Sequence, residues 1–568
     1  MPTLDWIGKS AVVNHHRKVP YHLLRCDREL SAGDADAGNL LVQGDNLLAL
    51  KALLPYYAGK VKCIYIDPPY NTGNEGWIYN DNVNSPEIRQ WLRQTVGKEG
   101  EDLSRHDKWL CMMYPRLALL RDFLTQDGAI LASIDDNELP RLRLVMEELF
   151  GPQNSIATLV WEKGKKGDAK FVSVTHEYIV AFAKDKGCLL DRGVRWRRRK
   201  PGVDGVLAKY QEIRDRLAAD HEAIRRELMA WYRSLPRGDP RKSHKHYNCS
   251  DERGLYFPDN FHGPDDGRES RPRYDIVHPA TGRPCAKPST GWRWEEERTR
   301  AALAENPPRI HFGPDETTIP CRKSYLVEVD EEPFQSVFYT DGRAATLQVE
   351  RLVGKGAFAF PKDEKVIADL IALVSDRDSV VLDSFAGSGT TAHAVLTQNN
   401  ADSGSRRFIL VEVDESICRD VTAQRIRKAI GGYGDTPGLG GGFRYCKLGP
   451  ALFDEAGNIG SEVRFSDLAA HVFFTETGSP IPKRADGRTP LLGVHQGRAV
   501  YLLFNGVLGD RRPAGGNVLT HEVAQALPAH PDGKGPRVVY GEACRLGPKS
   551  LARYGVTFRQ IPFELKVD

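Results

Sequence analysis

The chain has 568 residues, which is too long for one hydrophobic core and indicates about three or four domains. Hydrophobic residues make up 40% of it and charged residues 27%, as in a soluble globular protein. No run of about 18 apolar residues occurs, so no membrane-spanning helix is predicted, and the net charge of +3 says little about partners.

The beginning of the chain lacks the apolar segment and cleavage site of a signal peptide, so a cytoplasmic protein is predicted. Its ten cysteines are scattered and form no CxxC pair, which indicates reduced, mostly buried thiols rather than a disulfide scaffold. His244, His246 and Cys249 lie close together in the sequence. They lack a second paired half, so solvated loop residues are favoured and no metal is predicted.

Residues 40–184 alternate between strand-like and helix-like segments. Residues 61–67 form an apolar strand, residues 109–123 carry apolar side chains at helical spacing, and the string AILASI is the next strand. We expect Asp136 or Asn137 to cap the helix that follows. This alternation predicts a largely parallel sheet that is covered by helices on both faces.

The alternation breaks near Gly187, and residues up to about 345 are basic, aromatic and rich in proline and glycine, with one helical stretch around 207–232. Between Lys186 and Tyr247 the chain has 17 lysines and arginines against 8 acids. A solvated charged face and a phosphate-contacting surface would both fit this excess. The candidates for phosphate contact form one run around Trp196: Arg195, Arg197, Arg198, Arg199 and Lys200.

The alternation resumes with the helix KVIADLIALV and then a strand, a glycine turn and a helix in SVVLDSFAGSGTTAHAVL. Residues 406–414 are the next strand, and the glycine-rich residues 431–445 loosen the chain. Beyond about residue 455, strands at VYLLFNG and RVVYGEA flank a helix near HEVAQAL, which indicates a separate α/β unit.

Four regions are therefore predicted. Residues 1–186 and residues 346–453 are the two halves of one α/β core. Residues 187–345 form a basic insert between these halves, and residues 454–568 form a small C-terminal α/β module.

Gly387 and Gly389 lie where a strand passes into a helix, and glycine there lets the backbone approach a ligand closely. No lysine follows as in a phosphate-binding loop, and the third glycine of a dinucleotide site is missing. Glu412 follows Gly389 by 23 residues at the end of the next strand, which suits the hydroxyls of a ribose. The structural alternatives are a tight turn at Gly387 and Gly389 and a solvated strand end at Glu412. S-adenosylmethionine, which has a ribose but no pyrophosphate, fits best.

The string CIYIDPPYNTG ends a buried strand on Asp67 and adds two prolines. The prolines fix the backbone and remove two N–H donors, so the local carbonyls face outward as acceptors. Asp67 and the Pro68 carbonyl can then accept both hydrogens of an amino group, while Tyr70 offers a flat face to a planar ring. Accepting these hydrogens frees the lone pair of an exocyclic base amine for attack on a sulfonium methyl.

DPPY at 67–70 with FAGSG at 385–389 resembles the amino-methyltransferases of DNA that methylate adenine at its 6-amino group. DPPY precedes the glycine turn with a long insert between them, which is the order of the β group. The strings WIGKSAVVNHH, GDNLLALKALL, IDPPYNTG and FAGSGTTAHAV are similar to the modification subunits of Type III restriction-modification systems. The resemblance covers roughly residues 1–190 and 345–450.

The resemblance implies a Rossmann-like S-adenosylmethionine-dependent methyltransferase core with a largely parallel sheet, in which the basic insert recognises the target. It also implies the catalytic set Asp67, Pro68, Pro69 and Tyr70, in which Asp67 and Pro68 hold the amine and Tyr70 stacks on the flipped base. The implied cofactor-binding residues are Asp45, Asp383, Phe385, Ala386, Gly387, Gly389, Thr390 and Glu412.

Two of the implied residues keep a structural alternative. Asp45 lies near the cofactor's adenine or only caps a helix, because it stands in the GDN turn before a helical segment. Trp161 is either a second wall of the base pocket or a core residue.

The resemblance further implies double-stranded DNA as substrate, a homodimer and a separate helicase-nuclease restriction subunit. The target base must be flipped out of the duplex to reach such a pocket. Methylation of the 4-amino group of cytosine is one alternative, although Asp67 favours adenine because many cytosine enzymes have serine there. A DNA-recognition subunit with a vestigial catalytic centre is the other, and the intact DPPY and FAGSG strings argue against it.

Overall fold

The computed structural model describes residues 4–72, 104–164, 170–218, 220–266, 270–454, 456–509, 516–533 and 535–561. The chain divides into two compact units, of which the first comprises residues 1–195 and 335–568 and the second residues 196–334. The division into four regions and the recognition role of residues 187–345 stay predictions. Among the helices that the structure describes, none is both long and apolar enough to cross a bilayer.

The first unit starts with the elements up to residue 195. Its strands here are β1 (His22–Gly33), β2 (Leu40–Gln43), β3 (Val61–Ile66), β4 (Leu124–Ile134), β5 (Ser155–Glu162) and β6 (His176–Ala183). Its helices here are α1 (Lys9–Val12), α2 (His15–Lys18), α3 (Asn46–Tyr57), α4 (Arg105–Phe123), α5 (Leu139–Phe150) and α6 (Lys186–Asp191). The predicted cap of α5 by Asp136 or Asn137 is wrong, because Glu138 occupies the N-cap position without a capping side-chain bond.

The described residues of the second unit form short strands and three α-helices. The strands are β7 (Arg197–Arg199), β8 (Cys249–Ser250), β9 (Leu255–Asp259), β10 (Ile310–His311), β11 (Cys321–Tyr325) and β12 (Glu331–Pro333). The helices are α7 (Val203–Leu217), α8 (His221–Ser234) and α9 (Glu296–Ala304). The single helical stretch predicted around 207–232 is two helices, because Asp220 caps α8 separately by accepting from the Ala223 N–H.

The first unit continues from residue 335. Its strands are β13 (Val337–Tyr339), β14 (Val380–Asp383), β15 (Arg407–Glu412), β16 (Gly432–Tyr433), β17 (Thr436–Pro437), β18 (Gly442–Ala451), β19 (Leu491–His495), β20 (Arg498–Leu502), β21 (Val518–Leu519), β22 (Arg537–Gly541), β23 (Ala543–Cys544) and β24 (Val556–Gln560). Its helices are α10 (Gly342–Val353), α11 (Glu364–Val374), α12 (Thr390–Asp402), α13 (Ala423–Gly431), α14 (Phe465–Thr477), α15 (His521–Ala526) and α16 (Pro548–Tyr554). The prediction that residues 431–445 form a loose, glycine-rich segment is wrong for residues 442–445, which belong to β18.

A ten-stranded sheet dominates the first unit, in the order β1-β18-β2-β15-β14-β3-β4-β6-β5-β13. The six strands from β18 to β4 are parallel, whereas β1 and β6 run antiparallel to their neighbours. The predicted α/β fold with a largely parallel sheet is therefore confirmed. Strands β19, β20, β22 and β24 form a separate four-stranded sheet.

The central strands of the large sheet are buried on both faces. All six residues of β3 and all four of β14 are buried, because helices cover both sides of the sheet. Ile64 and Leu382 from these strands share a core with Trp109 and Leu117 of α4. This packing fixes the ends of β3, β14 and β15, from which the functional side chains project.

Cys26 and Cys446 face each other on the antiparallel strands β1 and β18 and form a disulfide. The expectation that all ten cysteines are reduced is therefore wrong for this pair. No local sequence pattern indicates this pair, because 420 residues separate the two cysteines. The other eight are free, and most of them are buried.

Candidate active site

Acidic side chains gather at the carboxyl edge of the large sheet. Asp67 follows β3, Asp383 ends the adjacent strand β14, and Glu412 ends β15 on the other side of β14. Asp45 follows β2, whose last residue pairs in register with Glu412. Open α/β sheets bind ligands at this edge, so residues far apart in the sequence share one candidate site.

The glycine turn between β14 and α12 is held by hydrogen bonds to Asp383. Its carboxylate accepts from the Phe385 N–H at 2.9 Å and from the Thr391 hydroxyl at 2.5 Å. Gly389 has a φ of +78°, and a Cβ there would lie 3.0 Å from Cγ2 of Thr422. Glycine is therefore required at this position, because a side chain would be strained in φ and crowded in space.

Glu412 ties the end of β15 to the glycine turn. One carboxylate oxygen accepts from the Gly387 N–H at 2.8 Å and the other from the Asp414 N–H at 2.9 Å. The residue is only 2% exposed, and burial raises the pKa of Glu412 to about 8, against the effect of these two bonds. Each oxygen keeps a further lone pair, so the group can still accept from a ligand hydroxyl.

Asp383 is a structural member of the same edge. Burial raises its pKa to about 7, although the bonds from Thr391 and Phe385 favour the ionised form. Both carboxylate oxygens of Asp383 already accept hydrogen bonds from the turn and the helix that follows it. Asp383 therefore positions the cofactor-binding candidates Phe385, Ala386 and Thr390 rather than offering a free oxygen to a ligand. The sequence placed Asp383 among ligand-binding residues, and that role stays a prediction.

A buried arginine that the sequence did not single out supports the turn from behind. Arg425 donates to the hydroxyls of Ser388 at 2.9 Å and of Thr390 at 2.8 Å, and it is fully buried. Burial lowers the pKa of Arg425 to about 10. An arginine in an amphipathic helix gives no local signal of this role, because its partners lie 35 and 37 residues away.

Asp45 caps helix α3 by accepting from the N–H groups of Leu47 at 2.9 Å and Leu48 at 3.0 Å. Its second oxygen accepts from Arg116 at 3.0 Å. The capping alternative left open by the sequence is thus present in the structure. A contact with a cofactor's adenine stays a prediction.

The DPPY segment at the end of β3 is fixed from the neighbouring helices. Trp109 of α4 donates its indole N–H to the Pro69 carbonyl at 2.7 Å. Asn71, which has a φ of +57°, donates its side-chain amide to the buried carboxylate of Glu138. The two prolines restrict the backbone, and these bonds hold the Pro69 carbonyl and the Asn71 side chain in place. Asp67 and Tyr70 therefore project from a rigid segment.

Two lysines and a glutamate that the sequence analysis missed surround this segment. Lys362 Nζ lies 2.9 Å from Asp67 Oδ1 and donates to the Tyr70 hydroxyl at 2.9 Å. Glu177 accepts from Lys163 at 2.7 Å and from the Tyr70 hydroxyl at 3.3 Å, and lies 3.5 Å from Lys362. Glu177 did carry a signal, because it is a charged residue in the otherwise apolar strand HEYIVAFA.

The charges in this cluster stabilise one another. Burial disfavours the ammonium of Lys362, but the carboxylates of Asp67 and Glu177 outweigh it, so the pKa of Lys362 lies above its usual value. Burial likewise opposes the charge of Glu177, yet Lys362 and Lys163 hold the pKa of Glu177 below its usual value. Burial and the Asp67 charge raise the pKa of Tyr70, which therefore stays a neutral phenol.

Trp161 is 1% exposed and packs within the β5–β13 pair. Its indole N–H donates to the Thr340 hydroxyl at 2.7 Å, and its ring stacks on Phe338 at 5.9 Å. Lys163 Nζ lies 4.5 Å above the same ring, so Trp161 supports the lysine that reaches Glu177. The burial favours the core alternative, and the role as a base-pocket wall stays a prediction.

The basic run is only partly paired with acids. Arg198 binds Glu332 at 2.9 Å, and Arg199 binds Asp204 at 2.8 Å and Asp330 at 3.2 Å. Lys200 lies 5.9 Å from the ring of Tyr247. In the part of the chain that the structure describes, Arg195 and Arg197 are exposed and pair with no acid.

The candidate metal residues of the second unit are engaged otherwise. His244 is buried, and its Nε2 lies 2.9 Å from the Pro201 carbonyl. Within the residues described, no three His, Cys, Asp or Glu side chains are grouped so that they could hold a metal ion.

The chain is similar to DNA-modifying proteins. The N6_N4_Mtase family model, described as DNA methylase, matches residues 61–424. The chain is 35% identical over 431 residues to the Mod subunit of the Type III restriction-modification enzyme EcoP15I of Escherichia coli, covering 73% of this chain and 64% of that protein. It is 32% identical over 442 residues to the EcoPI Mod subunit of Escherichia phage P1, with the same coverage of each. The chain thus spans less than two thirds of the length of these curated relatives.

Among solved structures, the PvuII DNA methyltransferase, described as cytosine-N4-specific, aligns with 68% of this chain and 86% of its own. The sequence identity is 10% and the TM-score is 0.32.

Proposed function

This chain belongs to the N6_N4_Mtase family of DNA methylases, and we propose that it transfers a methyl group from S-adenosylmethionine to the 6-amino group of a flipped adenine in double-stranded DNA. One observation carries this proposal. The Asp67 carboxylate and the Tyr70 ring project from the end of β3, directly beside the glycine turn that follows the adjacent strand β14. The residues proposed to hold the amine and the glycine turn proposed to admit the cofactor therefore lie next to each other at the carboxyl edge of the sheet.

The methyl donor of this family is S-adenosylmethionine, which supplies a methyl group activated by a sulfonium charge. The residues at the carboxyl edge fit it. The buried Glu412 carboxylate has lone pairs left for ribose hydroxyls. Arg425 and Asp383 hold this turn rigid from both sides, which favours a preorganised pocket.

The Asp67 carboxylate would activate the target amine. The lone pair of an exocyclic amine is delocalised into the base, so the nitrogen is a weak nucleophile. Acceptance of its two hydrogens by Asp67 and the Pro68 carbonyl localises the lone pair, and the stack on Tyr70 fixes the direction of attack. The new N–C bond would form as the bond between the methyl group and the sulfonium sulfur breaks and the sulfur leaves as a thioether. The nitrogen would then carry one proton too many, and the Asp67 carboxylate is placed to receive it.

Adenine is proposed as the target because aspartate occupies position 67. In the resemblance to amino-methyltransferases this residue accompanies adenine, whereas many cytosine enzymes carry serine there. The 4-amino group of cytosine offers the same geometry to Asp67 and Pro68. Identification of the methylated nucleoside therefore decides between the two bases.

The proposed partners are duplex DNA, a second copy of the chain and a helicase-nuclease restriction subunit. The relatives EcoP15I Mod and EcoPI Mod belong to Type III restriction-modification enzymes, and this supports the same assembly for the present chain. The basic residues 186–247 support a role of the insert in contacting DNA phosphates.

The proposal is tested by labelled methyl transfer. Purified protein is mixed with tritiated S-adenosylmethionine and unmethylated duplex DNA, and the label retained in the DNA is counted. We expect transfer that stops when a limited number of sites is filled, because the reaction is site-specific. DNA binding without transfer by the folded protein would instead identify a recognition subunit with a vestigial centre.

Replacement of Arg195 and Arg197 by alanine is expected to weaken DNA binding. These two exposed arginines are available for phosphates, so the slope of log K against log salt should fall by about 1 for each arginine that contacts one. The matched control is the Arg198→Ala, Arg199→Ala double variant, whose side chains are already paired with acids. Fluorescence anisotropy over a salt series measures both slopes, and equal slopes in wild type and the Arg195, Arg197 variant would contradict the assignment.

Cofactor affinity is expected to rise with pH up to about 8. In the free protein, burial keeps Glu412 protonated below its pKa of about 8, whereas ribose hydroxyls are held best by the ionised carboxylate. Binding then releases a proton, so affinity should rise by up to about tenfold per pH unit below 8 and level off above it. Isothermal titration calorimetry across this range measures the trend. The Glu412→Gln variant should show a flat profile, and a flat profile in the wild type would refute the linkage.

A further inference from the structure

Lys362 occupies the place that the proposed function gives to the target amine. Its Nζ lies 2.9 Å from Asp67 Oδ1, 2.9 Å from the Tyr70 hydroxyl and 4.8 Å from the centre of the Tyr70 ring. We call the space beside the Asp67 carboxylate and the Tyr70 hydroxyl the amine seat. We propose that the Lys362 ammonium fills the amine seat in the free protein as a placeholder and is displaced by the target amine, so that Lys362 selects against bases without an amine at that position.

The ammonium competes with the proposed substrate for the same groups. Its Nζ forms an ion pair with Asp67 Oδ1 at 2.9 Å, on the carboxylate that would accept the hydrogens of the amine. It also donates to the Tyr70 hydroxyl at 2.9 Å, at the edge of the ring on which the base would stack. Asp67 Oδ1 cannot serve the lysine and the amine in the same place, so entry of the base requires the lysine to leave.

Glu177 provides the position to which Lys362 can move. Its carboxylate lies 3.5 Å from Lys362 Nζ, and both residues are buried. A buried ammonium without a counter-charge is strongly disfavoured, so a second carboxylate within reach is what makes displacement possible. A small shift of Nζ from Asp67 to Glu177 keeps the charge paired and empties the amine seat.

Lys163 shows that Glu177 is prepared to hold a cation. Lys163 already binds Glu177 at 2.7 Å. The two lysines thus share one carboxylate, and Lys362 also lies 2.9 Å from Asp67 Oδ1.

The placeholder would add selectivity to the pocket. A base with the right exocyclic amine replaces the bond that Asp67 loses when Lys362 moves. A base without that amine displaces the ammonium but donates no hydrogen to Asp67 in return. The largely buried Asp67 carboxylate is then left unpaired, which costs free energy. Rejection is therefore expected for thymine and for purines that lack a 6-amino group.

The test uses a duplex with 2-aminopurine, which has no 6-amino group, in place of the target adenine at a methylated site. Its fluorescence rises when it leaves the base stack. For Lys362→Met, we expect the equilibrium constant for flipping to increase about tenfold over wild type, because one charge-assisted bond no longer competes. Lys362→Arg, which keeps the charge, should stay near the wild-type value. An equal or smaller constant for Lys362→Met would overturn the proposal.

A structure of the wild-type protein with its target duplex tests the same point without a variant. We expect the target amine on Asp67 and Lys362 Nζ on Glu177, whereas Nζ still bound to Asp67 beside a seated base would overturn the proposal. The placeholder role of Lys362 rests on the proposed function, but different results would contradict the role and the function. A protein that transfers no methyl group to DNA removes the proposed function, while an active enzyme whose Lys362→Met variant flips 2-aminopurine as the wild type does removes only the placeholder.

Discussion

Replacing Asp67 by asparagine is expected to lower the rate of methyl transfer to DNA about 1,000-fold or more, while the affinity for S-adenosylmethionine stays close to that of the wild type. Asparagine keeps the size of the side chain but removes the charge that accepts the amine hydrogens and the proton, and loss of one such preorganised group typically costs 100- to 1,000-fold, roughly. Asp67→Ala should be at least as slow. Single-turnover transfer of labelled methyl groups measures the rate, and calorimetry measures cofactor binding.

The matched control is Asp136→Asn. Asp136 follows the neighbouring strand β4 and accepts from the Tyr178 hydroxyl at 2.9 Å. Its substitution should leave the rate near that of the wild type. If Asp67→Asn lost cofactor binding instead of transfer, or if it transferred methyl groups normally, the role given to Asp67 would be wrong.

Replacing Glu412 by glutamine is expected to weaken S-adenosylmethionine binding about 100-fold at pH 8.5, because bonds to two ribose hydroxyls lose their charged acceptor. Glutamine also places an NH2 group where an oxygen now accepts from Gly387 or Asp414, so the glycine turn loses one support. At saturating cofactor, the transfer rate should stay within a few-fold of the wild type, as when ground-state binding alone is removed.

Glu415→Gln controls for this change. Glu415 lies three residues further along and its side chain is 61% exposed, so its substitution should not affect binding. Asp67→Asn should lose methyl transfer and keep its affinity for the cofactor, whereas Glu412→Gln should lose affinity and keep the transfer rate at saturating cofactor. The two variants together separate the amine-binding part of the site from the cofactor-binding part. Unchanged cofactor affinity in Glu412→Gln would contradict the ribose assignment.

The sequence predicted the parts of the site that lie in short contiguous strings. DPPY and FAGSG each come directly after a buried strand, so their place at the carboxyl edge follows from the local pattern. The largely parallel sheet followed from the alternation of strands and helices.

Other features depend on distant pairing that local patterns do not reveal. Lys362 reaches Asp67 across 295 residues of sequence, and it stands in an unremarkable turn before α11. Arg425 and the Cys26–Cys446 disulfide are likewise contacts between remote elements. The glycine-rich start of β18 gave the opposite error, because pairing with β1 and β2 overrides the low strand preference of glycine.

The central claim is that this chain methylates the 6-amino group of adenine in DNA. The most direct measurement supplies S-adenosylmethionine with a deuterated methyl group, digests the DNA product to nucleosides and identifies the labelled nucleoside by mass spectrometry. We expect deuterated N6-methyladenine with wild-type protein and none with Asp67→Asn. Label in N4-methylcytosine, or no label in any nucleoside, would contradict it.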